Sequence, residues 1–537
     1  MILNDLLDSS FTAYKERVAV SQGERKITYD TLDKISNEYA KYLNRTCKNT
    51  FVGVYMNSSI EAMISIISIL KSGRAYVPID PSLPKDRTQY IFKDSDISFV
   101  FTTPETSNLL KEIQSPEMNL SKIEINIPTT PKNFISFDPS QFSQGNILEN
   151  IIKSDSPAYM IYTSGSTGNP KGVIISNSNI CDFLIWNQKK MNYSIGDKIG
   201  QNHSLSFDNS VWEIFSAFLS GAELVIVEDN KNILTLIEVI HSKKITSLSI
   251  TPSQLTVLLE YCDVVDVNSL KSLNYLFIGS ETVPVEIVEK AFKYLNSKCR
   301  VFNEYGPTEV TITSAMLEVT IDNLNNFKAF PSLPIGNPTA SNIFEIAEGG
   351  TEGELLIGGG CVAIGYHNNE DKNLVSFIDV KDVEFPGRYY KTGDLVKKID
   401  DNNFMFLGRI DDQVKIRGFR VEIGEVEKAI RGLQIVSNLV VVAVEDKEIS
   451  TRKLVCYYIG KEQTNQKTIP TIIRKKLKEI LPDYMIPTSF IQIDEIPLNH
   501  NKKIDRKKMT SVSFYNHTKE NRLKKSDEME NNVEKKL

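Results

Sequence analysis

Three features of this chain predict an α/β fold: a large, multi-sheet N-terminal domain followed by a small α+β domain. The first is length. At 537 residues the chain exceeds what one hydrophobic core ordinarily organises, so two or more domains are expected. The second is rhythm. Short apolar runs such as FVGVYM (Phe51 to Met56), AYVPID (Ala75 to Asp80) and ISFVFTT (Ile97 to Thr103) alternate with helical segments. That alternation implies mainly parallel sheets covered by helices on both faces. The third is a change of character near Gly408, after which the chain reads as a unit of about a hundred residues, a normal domain size.

Taken in order, the stretch from Ile27 to Leu43 sets Leu32, Ile35, Tyr39 and Leu43 at helical spacing. Ser58 and Ser59 can cap the next helix, which carries Met63, Ile66, Ile67 and Leu70 and stops at Gly73. Residues 107–150 are rich in Pro, Ser and Asn and read as an irregular connection. The alternation resumes through LVIVED, ITSLSI, YLFIGS and RVFNEYG. In the small domain, Ser437 to Asp446 and Lys453 to Gly460 read as strands, TIPTIIRKKLKEIL as a helix and SFIQIDEIPL as a last strand. The expected boundaries are 1–408 for the large domain and 409–510 for the small one. The Lys-, Glu- and Asn-rich residues 511–537 then form a disordered tail.

Composition excludes several classes. Hydrophobic residues at 41% and charged residues at 24% fit a soluble globular protein, and a net charge of −6 argues against a nucleic-acid binder. The six cysteines form no CxxC pair, which fits reduced thiols in a cytosol. The N-terminus lacks a signal peptide's basic and apolar regions, and the apolar run from Ala62 to Leu70 is too short to span a bilayer. A cytoplasmic protein without a membrane partner is expected.

Several stretches carry chemistry. In YMIYTSGSTGNPKGV (Tyr159 to Val173) a strand runs into Thr163, Ser164, Gly165, Ser166, Thr167 and Gly168, with Lys171 beyond. Such a loop is either a polar surface turn or a nest of amides and hydroxyls for anionic oxygens. NEYGPTE (Asn303 to Glu309) sets an aromatic, a hydroxyl and a carboxylate on one Gly-Pro turn. YKTGDLV (Tyr390 to Val396) places Asp394 after a glycine turn, where it either stabilises the turn or accepts hydrogen bonds from a diol. Asp208, in SLSFDNSVWEIFSAFLSGAEL, interrupts an apolar side. It is either a helix cap or a buried carboxylate that needs a cationic partner.

These motifs, with GELLIGGGCVAIGY, GRIDDQVKIRGFRVEIGEVE, PDYMIPTSF and PLNHNKKIDRKK, resemble the adenylate-forming enzymes. The resemblance is specifically to the amino-acid adenylation domains of nonribosomal peptide synthetases and their freestanding relatives, and it covers Ile27 to Lys508. It implies ATP and Mg²⁺ as cofactors and a mobile C-terminal domain. The resemblance makes residues 163–168 and Lys171 the phosphate loop and places Gly279 and Asn303 beside the nucleotide. It stacks Tyr305 on adenine, sets Thr308 at phosphate, gives Glu309 to Mg²⁺ and Asp394 to the ribose, and brings Arg409 near the nucleotide. It makes Asp411 the hinge, and sends the loop from Lys415 to Gly418 to the thiol donor.

The lysine that completes the adenylation site falls on Lys503, although the family's preceding glycine is here Lys502. The resemblance pairs Asp208 with a substrate α-ammonium, a feature that the fatty-acid and aryl-acid branches lack. The remaining pocket positions carry over to Asn209, Trp212, Ser249, Leu276, Ile278, Glu304, Ile312 and Thr313, which suggests a small or medium side chain. Glu304 either binds a polar or cationic group or faces solvent at the pocket mouth. The chain shows no condensation or carrier region, so a freestanding ligase that loads a phosphopantetheinylated carrier protein in trans is expected. Rivals are an acyl-CoA synthetase and an inactive nucleotide-binding homologue.

Overall fold

The computed structural model describes all residues except 116–117, 127–151, 166–167, 230–231, 266–267, 269, 382, 402, 447–450, 462–467, 501, 512–513 and 516–537. The chain divides into two compact units. The first comprises Met1–Pro81, Thr88–Thr163 and Lys171–Ile410; the second comprises Asp411–Leu537 with the short segments Ser82–Arg87 and Ser164–Pro170. The division thus falls after Ile410, two residues beyond the expected boundary, because Arg409 ends the strand Asn403–Arg409 and pairs in register with Asp394.

Among the described residues, the first unit holds a nine-stranded, a seven-stranded and a five-stranded sheet. The inner pairings of the two larger sheets are parallel, as the strand–helix rhythm requires. One hydrophobic cluster joins Val20, Leu224 and Phe277 of the nine-stranded sheet to Val54, Tyr76 and Tyr159 of the seven-stranded one. The helix Ile60–Lys71 lies in this cluster and is buried from Ile60 through Leu70, which explains its apolar character on every side. The Ser59 hydroxyl accepts from the Ala62 amide at 3.1 Å, and Gly73, at φ +75°, ends the helix.

Of the stretch 107–150 that reads as irregular in the sequence, residues 116–117 and 127–150 lie outside the described residues, and the rest contains regular structure. Pro104–Ile113 is a helix with Pro in its first turn, and the Thr103 hydroxyl accepts from the Thr106 amide at 3.3 Å; Ser121–Glu124 is a parallel edge strand. Local capping overrides the loop-like composition.

In the second unit, Val436–Asp446 and Thr451–Gly460 pair antiparallel, and Ser489–Gln492 joins the latter in parallel. Side chains alternate between two clusters. Leu439, Val441, Leu454 and Cys456 face one; Val440, Val442, Val455 and Tyr457 face the other. The start of the expected tail packs against the second cluster. Tyr515 is buried in the second cluster, and the Phe514 ring lies 5.4 Å from that of Tyr457; the remaining residues, 516–537, lie outside the described residues. No helix among the described residues is long and apolar enough to cross a membrane.

Candidate active site

The strand Pro157–Thr163 and the strand Lys171–Ser176 form an antiparallel hairpin whose last pair is Thr163 with Lys171. Of the loop between them, Ser166 and Thr167 lie outside the described residues. Gly168 takes φ +92°, and its amide donates to the Gly165 carbonyl at 2.9 Å, a tight turn that glycine permits. Within the second unit, the Ser164 hydroxyl donates to the Arg420 carbonyl at 2.9 Å.

Lys171 is buried, and its ammonium sits 4.7 Å from the centre of the Tyr366 ring. The Tyr366 hydroxyl donates to Glu309 Oε1 at 2.7 Å. Tyr366 therefore links Lys171 to the carboxylate expected to hold metal. In the sequence its motif reads as structural, and the only signal for Tyr366 is its place beside Gly365 at the end of that motif. Glu309 offers a hard oxygen ligand, and one or two carboxylates are what Mg²⁺ takes when phosphates supply the rest, so the residue fits the ion.

Asp394 lies in the long strand Gly387–Asp400, not after an isolated turn; the strand is irregular there, with Gly393 at φ +70°. Its Oδ2 accepts from the Tyr305 hydroxyl at 2.6 Å and its Oδ1 from Arg409 at 2.6 Å. Each carboxylate oxygen keeps a further lone pair for a diol. The Asn303 side-chain amide is engaged by the backbone and donates to the Pro334 carbonyl at 2.7 Å.

Thr308 and Glu309 belong to the single 3-10 turn Thr308–Val310. Behind it, Thr311 and Ile312 take φ +49° and +72°, strained for β-branched residues. A Cβ on Gly306 would lie 2.0 Å from the Ile312 carbonyl oxygen, where only backbone could yield. Gly306→Ala is therefore expected to displace the turn carrying Tyr305 and Glu309. The expected loss in adenylate formation is about 100-fold or more, the scale of an ångström misplacement, measured as initial rates on protein whose folding is checked by circular dichroism.

Asp208 opens the helix Asp208–Ser220 as its first residue; the cap position belongs to Phe207, with no side-chain cap bond. The carboxylate is 8% exposed. The helix also carries Trp212, whose indole N–H donates to Asn187 at 3.1 Å and whose ring meets Phe277 edge-on at 4.5 Å. Asn209 donates to the Ser249 hydroxyl at 3.5 Å. Thr313 donates to Glu304 Oε1 at 3.4 Å.

Two pocket assignments need correction. Leu276 and Ile278 belong to a separate hydrophobic cluster with Leu248, Ile250 and Val301, whereas Phe277 lies in the cluster of Trp212. Neighbouring strand residues face opposite ways, and Ser249 pairs with Phe277. Phe277 and Gly279 thus take the face expected for Leu276 and Ile278. Gly279 leaves room for Glu304: a Cβ there would lie 3.2 Å from that of Glu304. A neighbour that sequence reasoning misses is the pair of His203 and Glu213, 2.7 Å apart. Burial opposes the charging of His203, but Glu213, aided by Glu304 and Asp208, outweighs it and raises its pKa.

Lys503 is exposed in the second unit. Its amide donates to Asn499 Oδ1 at 3.1 Å and its carbonyl accepts from the Asn499 amide at 2.7 Å. Lys502 takes φ +56°, the left-handed conformation that a glycine at this position would adopt freely. Arg506 anchors the following residues on Glu427 at 2.9 Å. Arg417 and Gly418, at φ +51° and +81°, form the two-residue turn between the strands Gln413–Ile416 and Phe419–Glu422. Asp411, the first residue of the main segment of the second unit, accepts from the Gln413 amide at 3.2 Å.

Comparison with known proteins defines the class. The AMP-binding enzyme family model matches residues 7–367, and that of the AMP-binding enzyme C-terminal domain matches residues 425–503. The chain belongs to the AMP-binding enzyme family. It is 34% identical to tyrocidine synthase 1 of Brevibacillus parabrevis, over 94% of this chain and 44% of that protein, so it spans less than half of that relative's length. A solved nonribosomal peptide synthetase protein containing adenylation and PCP domains superposes with TM-score 0.78 at 23% identity, covering 95% of this chain and 84% of that one. The o-succinylbenzoate CoA synthetase of Bacillus subtilis, covering 94% and 97%, gives 0.75 at 20% identity. These structural likenesses concern the fold.

Proposed function

We propose that the protein activates an amino acid with ATP and passes it to the phosphopantetheine thiol of a carrier protein in trans. The observation that carries the amino-acid reading is Asp208: a buried carboxylate at the start of a helix that it does not cap. It stands where the resembled enzymes hold the substrate α-ammonium, a charge that a buried carboxylate pairs with.

In the first half-reaction the substrate carboxylate attacks the α-phosphorus of ATP. Pyrophosphate leaves, and an aminoacyl-AMP anhydride remains. Asp208 orients the amino acid through its ammonium. Tyr305, Asp394 and Arg409 hold the nucleoside, and the 163–168 loop with Lys171 receives the phosphates. Glu309 would hold Mg²⁺, an ion that would offset phosphate charge when bound. Lys503 supplies positive charge as the α-phosphate becomes crowded, and Thr308 supplies a hydroxyl. The protein's work is positioning and charge stabilisation. In the second half-reaction the carrier thiol attacks the acyl carbon, AMP leaves, and a thioester forms.

Asp411 is the proposed hinge for the change between the two, and the loop Lys415 to Gly418 then lines the path of the thiol. Proline at Asp411 would fix φ and hinder that change. Asp411→Pro is expected to keep most adenylate formation and to lose thioester formation, measured by mass spectrometry of a carrier protein or a pantetheine surrogate. All six cysteines are free thiols, which supports a cytoplasmic location.

Hydroxylamine trapping tests the reading. Incubation with ATP, Mg²⁺ and mixed amino acids should yield an aminoacyl hydroxamate. Acyl hydroxamates from des-amino acids alone would favour the acyl-CoA synthetase reading.

A further inference from the structure

Glu304 is the buried group that amino-acid activation alone leaves without a role. It stands in the strand Arg300–Tyr305, 6% exposed. Its Oε1 accepts the long bond from Thr313, and its Oε2 has no hydrogen-bond partner. A buried oxygen left unpaired is costly to the fold. Gly279 makes the space for it, since a Cβ at that position would crowd Glu304.

Asp208, Glu213 and Glu304 are three buried acids that act on one another, and His203 is the base among them. His203 is committed to Glu213, which also accepts the amides of Asn202 and His203 at 3.2 Å each. His203 acts on Glu304 from a distance, and Glu304 Oε2 keeps no hydrogen-bond partner. Burial, against the lowering influence of His203 and Thr313 and with the repulsion of Glu213 and Asp208, pushes its carboxyl up to about 8.

We infer that the substrate is a diamino or guanidino amino acid, whose side-chain cation binds Glu304 Oε2 while its α-ammonium binds Asp208. This rests on the amino-acid-activating reading and names the substrate class within it. A neutral amide or hydroxyl would fill the lone pair of Oε2 but bring no charge to Glu304. A cation does both, and a close ion pair in a buried site also favours the charged carboxylate.

The test is pyrophosphate exchange with single amino acids. The cationic set is 2,4-diaminobutyrate, ornithine, lysine and arginine; the neutral set is norvaline, norleucine, glutamine and tyrosine. One cationic substrate should exceed every neutral one in kcat/KM by about 100-fold or more, the scale on which an unpaired buried charge is penalised. Glu304→Gln should raise KM for that substrate and shrink its kcat/KM margin over norvaline by about 100-fold; a merely structural role would depress both rates alike and leave the margin as it was. A neutral amino acid preferred over all four cations overturns the inference and leaves amino-acid activation standing. Turnover of des-amino carboxylic acids alone overturns the underlying reading instead. Should Glu304→Gln fail to fold, the panel with the unaltered protein decides by itself.

Discussion

Lys503→Ala is expected to slow adenylate formation by about 10²–10³-fold, the usual effect of losing one preorganised charge donor, with the fold intact. The side chain is exposed, and the loop is held by others: the Asn499 backbone and side chain on one side, Arg506 on Glu427 on the other. Truncating a surface side chain of this kind costs within about 0.5 kcal/mol of stability. Loss of rate without loss of stability would therefore report on chemistry. Single-turnover adenylate formation and a denaturation midpoint measure the two effects. The control is Lys502→Ala. Lys502 takes the left-handed backbone position of the turn, so its role is conformational. A crippled Lys502→Ala beside an active Lys503→Ala would move the catalytic assignment by one residue.

Asp208→Ala is expected to abolish amino-acid activation while ATP binding survives. An ammonium brought into a buried site without its partner costs about 3–5 kcal/mol, a factor of several hundred or more. The competing explanation, a lost helix cap, is weak because Phe207 holds the cap position. Removing an acid from the first helical turn forgoes about 0.3–1 kcal/mol of helix-dipole stabilisation, too little to account for the loss. Nucleotide affinity by fluorescence titration and amino-acid-dependent turnover separate the two effects. Undiminished turnover would make Asp208 a helix-dipole residue and nothing more.

Much of the fold is legible in the sequence because its signals are local. Apolar runs alternating with caps and glycine stops give the strand–helix order, and Ser59 and Gly73 bound a helix at the expected places. What the sequence hides depends on tertiary context. Leu276 and Ile278 fall one position out of register beside Gly279 and Ser280, and a slip of one residue in a strand exchanges its two faces. Tyr366, His203 and Glu213 draw no attention in the sequence because their meaning lies in partners 57 residues away for Tyr366 and 10 residues away for the pair. The helix Pro104–Ile113 is hidden by polar composition, although Thr103-Pro104 marks its start. The loop at Lys502 keeps its left-handed turn without glycine, a backbone property that residue types alone do not disclose.

The most direct test of the account is exchange of labelled pyrophosphate into ATP by the unaltered protein, with an amino acid it activates compared against the des-amino acid of the same side chain. Exchange that requires ATP, Mg²⁺ and the α-amino group is the predicted result, with the des-amino compound weaker by about 100-fold or more, as expected when Asp208 has lost its cation. Equal exchange with the des-amino compound would contradict the assignment of Asp208 and, with it, the claim that this protein activates amino acids.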